Sequence, residues 1–129
     1  MTVAAYIRGS PSSYYTISGV ITYWTTSSSS FLVGGITYSN GALTVPSDGL
    51  YYIYMQLRVE QSSGSAYPYL RINGVTVMYM CYQLSGGVRT KYSGITRSLK
   101  KGDSVDIKGN GGRYFMHWQN SYFGMFKMN

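Results

Sequence analysis

The run Leu50–Val59 constrains the fold more than any other part of the chain. It reads Leu-Tyr-Tyr-Ile-Tyr-Met-Gln-Leu-Arg-Val. In an extended strand, alternate side chains leave on opposite faces. The odd positions, Tyr51, Ile53, Met55, Leu57 and Val59, form one continuous apolar face, which suits the core of a β-sandwich. The even positions, Leu50, Tyr52, Tyr54, Gln56 and Arg58, still carry a Leu and two Tyr. That is more apolar surface than a water-facing strand needs. Either a partner chain covers it, as aromatic patches at interfaces suggest, or a neighbouring loop does, or the rings stay exposed.

No segment keeps a helical period. Short apolar runs alternate with Gly, Ser, Asn or Pro, which predicts strands near Val3–Arg8, Tyr14–Trp24, Phe31–Thr37, Ala42–Val45, Gly49–Val59, Tyr67–Ile72, Val75–Gln83, Lys91–Leu99, Ser104–Lys108, Tyr114–Trp118 and Ser121–Met128. Asn73-Gly74 fits a tight hairpin turn with positive φ at both residues, and Asn40-Gly41 and Asn110-Gly111-Gly112 also mark turns. Ser27–Ser30 and Gln61–Ser65 read as polar loops too short to be linkers. The 129 residues therefore predict one all-β sandwich or barrel domain over 1–129, large enough for its own core. The 15 Tyr and 16 Gly agree with strands and turns.

Several function classes lose support. One His, one Cys and four acidic residues are a poor stock for catalysis or for a metal site, and no cofactor is expected. A Cys81–His117 dyad lacks a supporting motif. Asp103 in Gly102-Asp103 reads as a turn aspartate capping backbone amides, and with Asp106 it offers too few oxygens for calcium. Gly109–Gly112 lacks the Lys-Ser/Thr of a phosphate loop. No Asn stands in an Asn-x-Ser/Thr pattern. Cys81 lies in the apolar run Val77–Leu84 and is expected to be a buried structural thiol. No run approaches a membrane span, and the start does not resemble a signal peptide; if the natural protein is secreted or membrane-tethered, that portion is expected to lie outside this sequence. The net charge of +7 favours acidic partners, but only Lys100 and Lys101 are adjacent. A solvated basic surface is the plain reading, and no nucleic acid is expected as a partner.

Three stretches carry a family resemblance. Gly41-Ala-Leu-Thr-Val-Pro46-Ser-Asp-Gly49-Leu-Tyr51-Tyr-Ile-Tyr54-Met-Gln56 resembles the signature of the tumour necrosis factor ligand family. Leu99-Lys-Lys-Gly102-Asp103 resembles that family's Leu-x-x-Gly-Asp turn. Tyr122-Phe-Gly124-Met-Phe-Lys127-Met128 is similar to its closing strand, and Trp24 stands where the family often has a Trp before the inner loop. Order and spacing agree from Val3 to Met128. Complement-type globular heads share the fold and a Val-Pro-x-x-Gly-x-Tyr motif, and Ile72-Asn73-Gly74 is similar to their Lys-Asn-Gly turn.

The resemblance implies an antiparallel jelly-roll sandwich acting as an extracellular, homotrimeric, cytokine-like ligand of receptors of the tumour necrosis factor type. It places Tyr52, Tyr54, Tyr92 and Tyr122 along the threefold axis, with Met128 near the base. This selects the even face of Leu50–Val59. The lone Cys81 departs from the family's loop disulfide, and the segment from Gln56 to Tyr92 is short. Tyr79 and Tyr82 are candidates for the family's receptor-contacting aromatic. Tyr14, Tyr15, Arg89, Lys91 and Arg113 are the expected receptor contacts, because Tyr and Arg in turn-like context are typical hot-spot residues. The alternative is a complement-type recognition module that binds glycans or other polyanions through its basic surface.

Overall fold

A computed structural model describes residues 1–11, 14–27, 29–60, 64–80, 82–84 and 87–129; the side chains of 14–18, 64–66, 82–84 and 110–115 lie outside the description. The described elements are all strands. In chain order they are β1 (Ala4–Gly9), β2 (Tyr14–Val20), β3 (Trp24–Thr25), β4 (Phe31–Val33), β5 (Thr37–Ser39), β6 (Ala42–Thr44), β7 (Gly49–Glu60), β8 (Gly64–Ala66), β9 (Tyr69–Ile72), β10 (Val75–Tyr79), β11 (Tyr82–Leu84), β12 (Val88–Leu99) and β13 (Ser104–Lys127).

They form the antiparallel jelly-roll sandwich that the sequence implied. One layer runs β12-β7-β13-β1-β4. The other gathers β5, β6, β9, β10 and β2 around the first part of β13. β13 serves both layers. It replaces the separate strands expected over Ser104–Lys108, Tyr114–Trp118 and Ser121–Met128, and the expected turn at Asn110 is instead a register shift between Asn110 and Phe115. Elsewhere the structure divides what the pattern had joined. Phe31–Thr37 breaks into β4 and β5 because Gly34 and Gly35 take φ values of 77° and 103°, a left-handed region that suits glycine. Tyr14–Trp24 divides into β2 and β3, and Val75–Gln83 into β10 and β11. The Asn73-Gly74 hairpin forms as expected, with φ values of 50° and 79°.

The core lies between the layers. Tyr51, Ile53, Met55, Leu57 and Val59 of β7 are fully buried, and Ala5, Ile7, Phe123 and Met125 extend the same face across β1 and β13. Leu43, Leu70, Val105 and Ile107 face them from the second layer. Each large apolar side chain buried this way contributes about 1.5–3 kcal/mol. Tyr51 satisfies its hydroxyl by donating to the Ser47 carbonyl at 2.8 Å. Trp24 meets the Phe123 ring at a tilt, with centroids 5.0 Å apart, and donates its indole N–H to the Ile21 carbonyl.

The Gly102-Asp103 turn is held as its composition suggests. Asp103 accepts from the Lys100 amide at 2.8 Å and from Asn73 Nδ2 at 2.9 Å. These bonds, the Lys100 amide first, hold its carboxyl below the usual range. Asp106 pairs in fork geometry with Arg71 on β9, at 2.8 and 2.7 Å. The two aspartates therefore serve separate structural tasks. Cys81 lies outside the described residues.

Candidate functional site

The even-numbered face of the β12-β7-β13-β1-β4 layer is paved with aromatic rings. Cross-strand register explains how they meet. One row across the sheet is Gly94, Tyr54, Gly124, Tyr6 and Phe31. The row on one side is Thr96, Tyr52, Phe126, Ala4 and Val33; the row on the other is Tyr92, Gln56, Tyr122 and Arg8. Glycine flanks Tyr54 on both neighbouring strands. With no Cβ at Gly94 or Gly124, the rings lie flat on the backbone: a Cβ at Gly94 would stand 2.0 Å from the Tyr52 hydroxyl, and one at Gly124 2.6 Å from that of Tyr54.

The rings form one connected field. Tyr54 stacks with Tyr52 at 6.0 Å and with Tyr92 at 6.4 Å, and meets Tyr122 edge-on at 6.2 Å. Tyr6 joins Tyr122 at 5.3 Å and Phe31 at 5.9 Å, while Phe126 joins Tyr52 at 5.5 Å. The Tyr52 and Tyr92 hydroxyls share a hydrogen bond of 2.8 Å, and Tyr122 donates to Gln56 Oε1 at 3.3 Å. Tyr92, Phe31 and Phe126 are 48%, 46% and 43% exposed, so the field opens outward despite its size.

The four tyrosines expected at an interface therefore converge on one face. Met128 sits past the end of β13, beside Met1, Val3 and Pro46, with its amide donating to the Leu50 carbonyl at 2.7 Å. Tyr6, Phe31 and Phe126 were not singled out by the sequence argument, although Tyr6 alternates with buried Ala5 and Ile7, and Phe126 follows buried Met125. The five receptor candidates do not stand in loops. Tyr14 and Tyr15 begin β2, in register with His117 and Met116. Arg89 and Lys91 are exposed on β12, and Arg113 falls within β13. Tyr79 is 62% exposed, with its ring 5.5 Å from that of Tyr69. The side chains of Tyr14, Tyr15, Tyr82 and Arg113 lie outside the described residues.

Crowding changes the tyrosine acidities. Burial, then the neighbouring phenols, pushes Tyr54 from 10.0 up to about 12. Burial also raises Tyr122, and burial and the Tyr52 hydroxyl raise Tyr92. Below pH 10 a phenol is neutral in both folded and unfolded chains, so its stabilising contribution is fully present. Between pH 10 and about 12 the unfolded chain releases a proton that folded Tyr54 keeps, so stability falls as pH rises. Tyrosinate absorbance is expected to show a late-titrating group in the native protein, and Tyr54→Phe to remove part of it. A native titration matching that of the unfolded chain would contradict this.

His117 Nε2 lies 2.7 Å from Glu60 Oε1, which ties the ring to a carboxylate. Among the described residues, no three His, Cys, Asp or Glu side chains gather as a metal site. The fold and this face define a jelly-roll sandwich domain with an open aromatic sheet face. The TNF (Tumour Necrosis Factor) family model matches residues 22–88, just over half of the sequence. The chain belongs to the tumour necrosis factor family. A solved structure of Eiger TNF from S. frugiperda superposes with a TM-score of 0.82 at 18% identity, covering 99% of this chain and 93% of that one. No curated protein sequence matches the chain significantly.

Proposed function

We propose that the chain is an extracellular ligand that trimerises through its tyrosine face and clusters receptors of the tumour necrosis factor type. The observation that carries this is the ring field around Tyr54, an aromatic surface left open on the sheet. Aromatic side chains supply large contact area and are enriched in interfaces. Tyr52, Tyr54, Tyr92 and Tyr122 form the centre of the contact, with Met128 at its base. Threefold presentation then gives receptor binding avidity without new contacts. Family membership favours this reading over the complement-type module, which draws on the basic surface alone.

The test is a mass measurement by light scattering at micromolar concentration, with a trimer expected and a monomer counting against the reading. Receptor contact is assigned to the grooves between protomers, with Arg89 and Lys91 on β12, Tyr14 and Tyr15 on β2, and Arg113 on β13. With a receptor ectodomain captured by the wild-type trimer, joint alanine substitution of these five is expected to weaken binding at least about tenfold while leaving the mass unchanged. Intact affinity would move the receptor site elsewhere.

A further inference from the structure

β12 is the outer strand of its layer. Among the described strands it pairs with β7 alone, so its second edge carries unpaired backbone groups. Its odd-numbered side chains leave on the face away from the tyrosine field. Arg89, Lys91 and Arg97 stand in register with Val59, Leu57 and Tyr51, whose own side chains fill the core. All three cations are nevertheless exposed. The second layer meets β12 at its middle, where Ser93 donates to Met78 Sδ at 3.0 Å and half-buried Ile95 packs against the core. Arg89 and Lys91 project past that contact on one side and Arg97 on the other. At about 3.4 Å per residue, the row spans roughly 27 Å.

Charge is one-sided here. Residues 89–101 hold five of the chain's eleven Lys and Arg, namely Arg89, Lys91, Arg97, Lys100 and Lys101, and no acidic residue. The Lys100-Lys101 turn has carboxylates against it, since Asp103 accepts from the Lys100 amide and Asp48 from the Lys101 amide. No acidic residue stands in register with the three strand cations. Glu60 lies on the even face and meets His117, while Asp106 holds Arg71. Arg89 and Arg97 each donate from Nη1 to the preceding carbonyl, of Val88 and Thr96, at 3.0 Å. These bonds settle each guanidinium along the strand and leave its other N–H groups for an outside acceptor.

We propose that this face of β12 binds a linear sulfated polysaccharide laid along the strand. An extended row of cations matches a chain of repeated anionic groups, whereas a small anion meets one of them. Charge-assisted bonds from guanidinium forks supply the contacts, and the net charge of +7 draws a polyanion in from a distance. Single-stranded nucleic acid is held by bases stacked on rings beside cations, and the one ring of β12, Tyr92, lies on the other face. An anionic membrane is held by cations beside apolar side chains that insert, and Ile95 is turned into the core instead. Arg89 and Lys91 also belong to the receptor contact assigned to the grooves between protomers, so a bound polysaccharide excludes the receptor from them. That consequence rests on the proposed function; the binding itself rests on one chain.

The experiment titrates the intact protein with a heparin oligosaccharide by calorimetry over a range of salt. Three ion pairs predict a slope of roughly −2 for log affinity against log salt, about −0.7 per contact on a single extended chain. Arg89→Gln, Lys91→Gln and Arg97→Gln are each expected to weaken binding about three- to tenfold and to flatten the slope. Lys108→Gln removes the same charge from the other layer and is expected to cost less than about twofold. All four variants should keep the wild-type mass and circular dichroism. Equal losses at Lys108 and at the strand positions would reduce the effect to net charge and overturn the proposal. So would the absence of saturable binding, or equal affinity for hyaluronate, which lacks sulfate, or for a single-stranded oligonucleotide. Intact heparin binding by a protein of monomeric mass would support the site while removing trimerisation.

Discussion

Tyr54→Arg is expected to leave the chain folded but unable to trimerise, whereas Tyr51→Arg is expected to leave it unfolded. The residues differ by three positions in the chain but occupy opposite faces of β7. Tyr51 is fully buried among Ile53, Met55 and Phe123. An arginine there is a charge placed in an apolar core, a defect whose cost exceeds about 4 kcal/mol and approaches the whole stability of a domain. Tyr54 lies on the outer field, where its ring meets Tyr52, Tyr92 and Tyr122. Losing such ring pairs costs the monomer about 0.5–1.5 kcal/mol each. In a trimer closed over this face, three guanidinium groups gather near the axis. Like charges about 4 Å apart repel by roughly 4 kcal/mol at an effective dielectric of 20. Light scattering separates assembly from folding, and near-ultraviolet circular dichroism reports the packed core. A Tyr54→Arg protein that stays trimeric with an unchanged melting temperature would remove the tyrosine face from the interface.

The strand around Tyr54 was legible because its alternation is strict. Every odd side chain from Tyr51 to Val59 is buried, and the even ones stay partly open. Family-like motifs then chose among the possible covers for the even face. Other boundaries depended on events that periodicity does not encode. Gly34 and Gly35 bend the chain out of β4 within an apolar run, so one expected strand became two. Conversely, β13 carries its pairing across glycine and asparagine signals that read as a turn, because β2 pairs on both sides of the irregularity.

The site was legible in part for related reasons. Tyr52, Tyr54, Tyr92 and Tyr122 follow from strand period and motif. Phe31 and Phe126 depend on how β4, β1, β13 and β7 align, which is set by tertiary register. The basic face of β12 is further from reach. Alternation alone sends Arg89, Lys91 and Arg97 to the side that carries the core residues of β7. They reach solvent because the second layer meets the strand at Ser93 and Ile95, a placement set by tertiary packing.

Two glycines that look equivalent in sequence should respond oppositely to the same change. Both stand in register with Tyr54, Gly94 on β12 and Gly124 on β13. A Cβ on Gly124 would lie 2.2 Å from the Ala5 carbonyl oxygen. That oxygen belongs to the backbone of β1, whose pairing with β13 runs from Ala4 to Arg8. It withdraws only if the two strands part. Gly124→Ala is therefore expected to cost about 3 kcal/mol, the upper end for overpacking, and to lower the melting temperature by roughly 10 °C. The atoms nearest a Cβ on Gly94 all belong to the outer end of the Tyr52 ring, a side chain that can give way where the β1 backbone cannot. Gly94→Ala should cost the fold about 1–2 kcal/mol, less than Gly124→Ala: the Tyr52 ring contacts it loosens are worth about 0.5–1.5 kcal/mol each, and removing glycine's backbone freedom offsets part of that. Its effect falls on the surface instead. Swinging Tyr52 away breaks the 2.8 Å bond to Tyr92 and lifts a ring from the centre of the flat field. Poorer shape complementarity there is expected to weaken trimer formation at least about tenfold, with a smaller drop in melting temperature than Gly124→Ala gives. Thermal unfolding and concentration-dependent light scattering, run on both variants, read the two effects separately. If Gly124→Ala melts with the wild type, β1 and β13 are not held at the spacing that the bare glycine permits. If Gly94→Ala assembles with wild-type affinity, the flat packing of Tyr52 against β12 is not what the partner chain recognises.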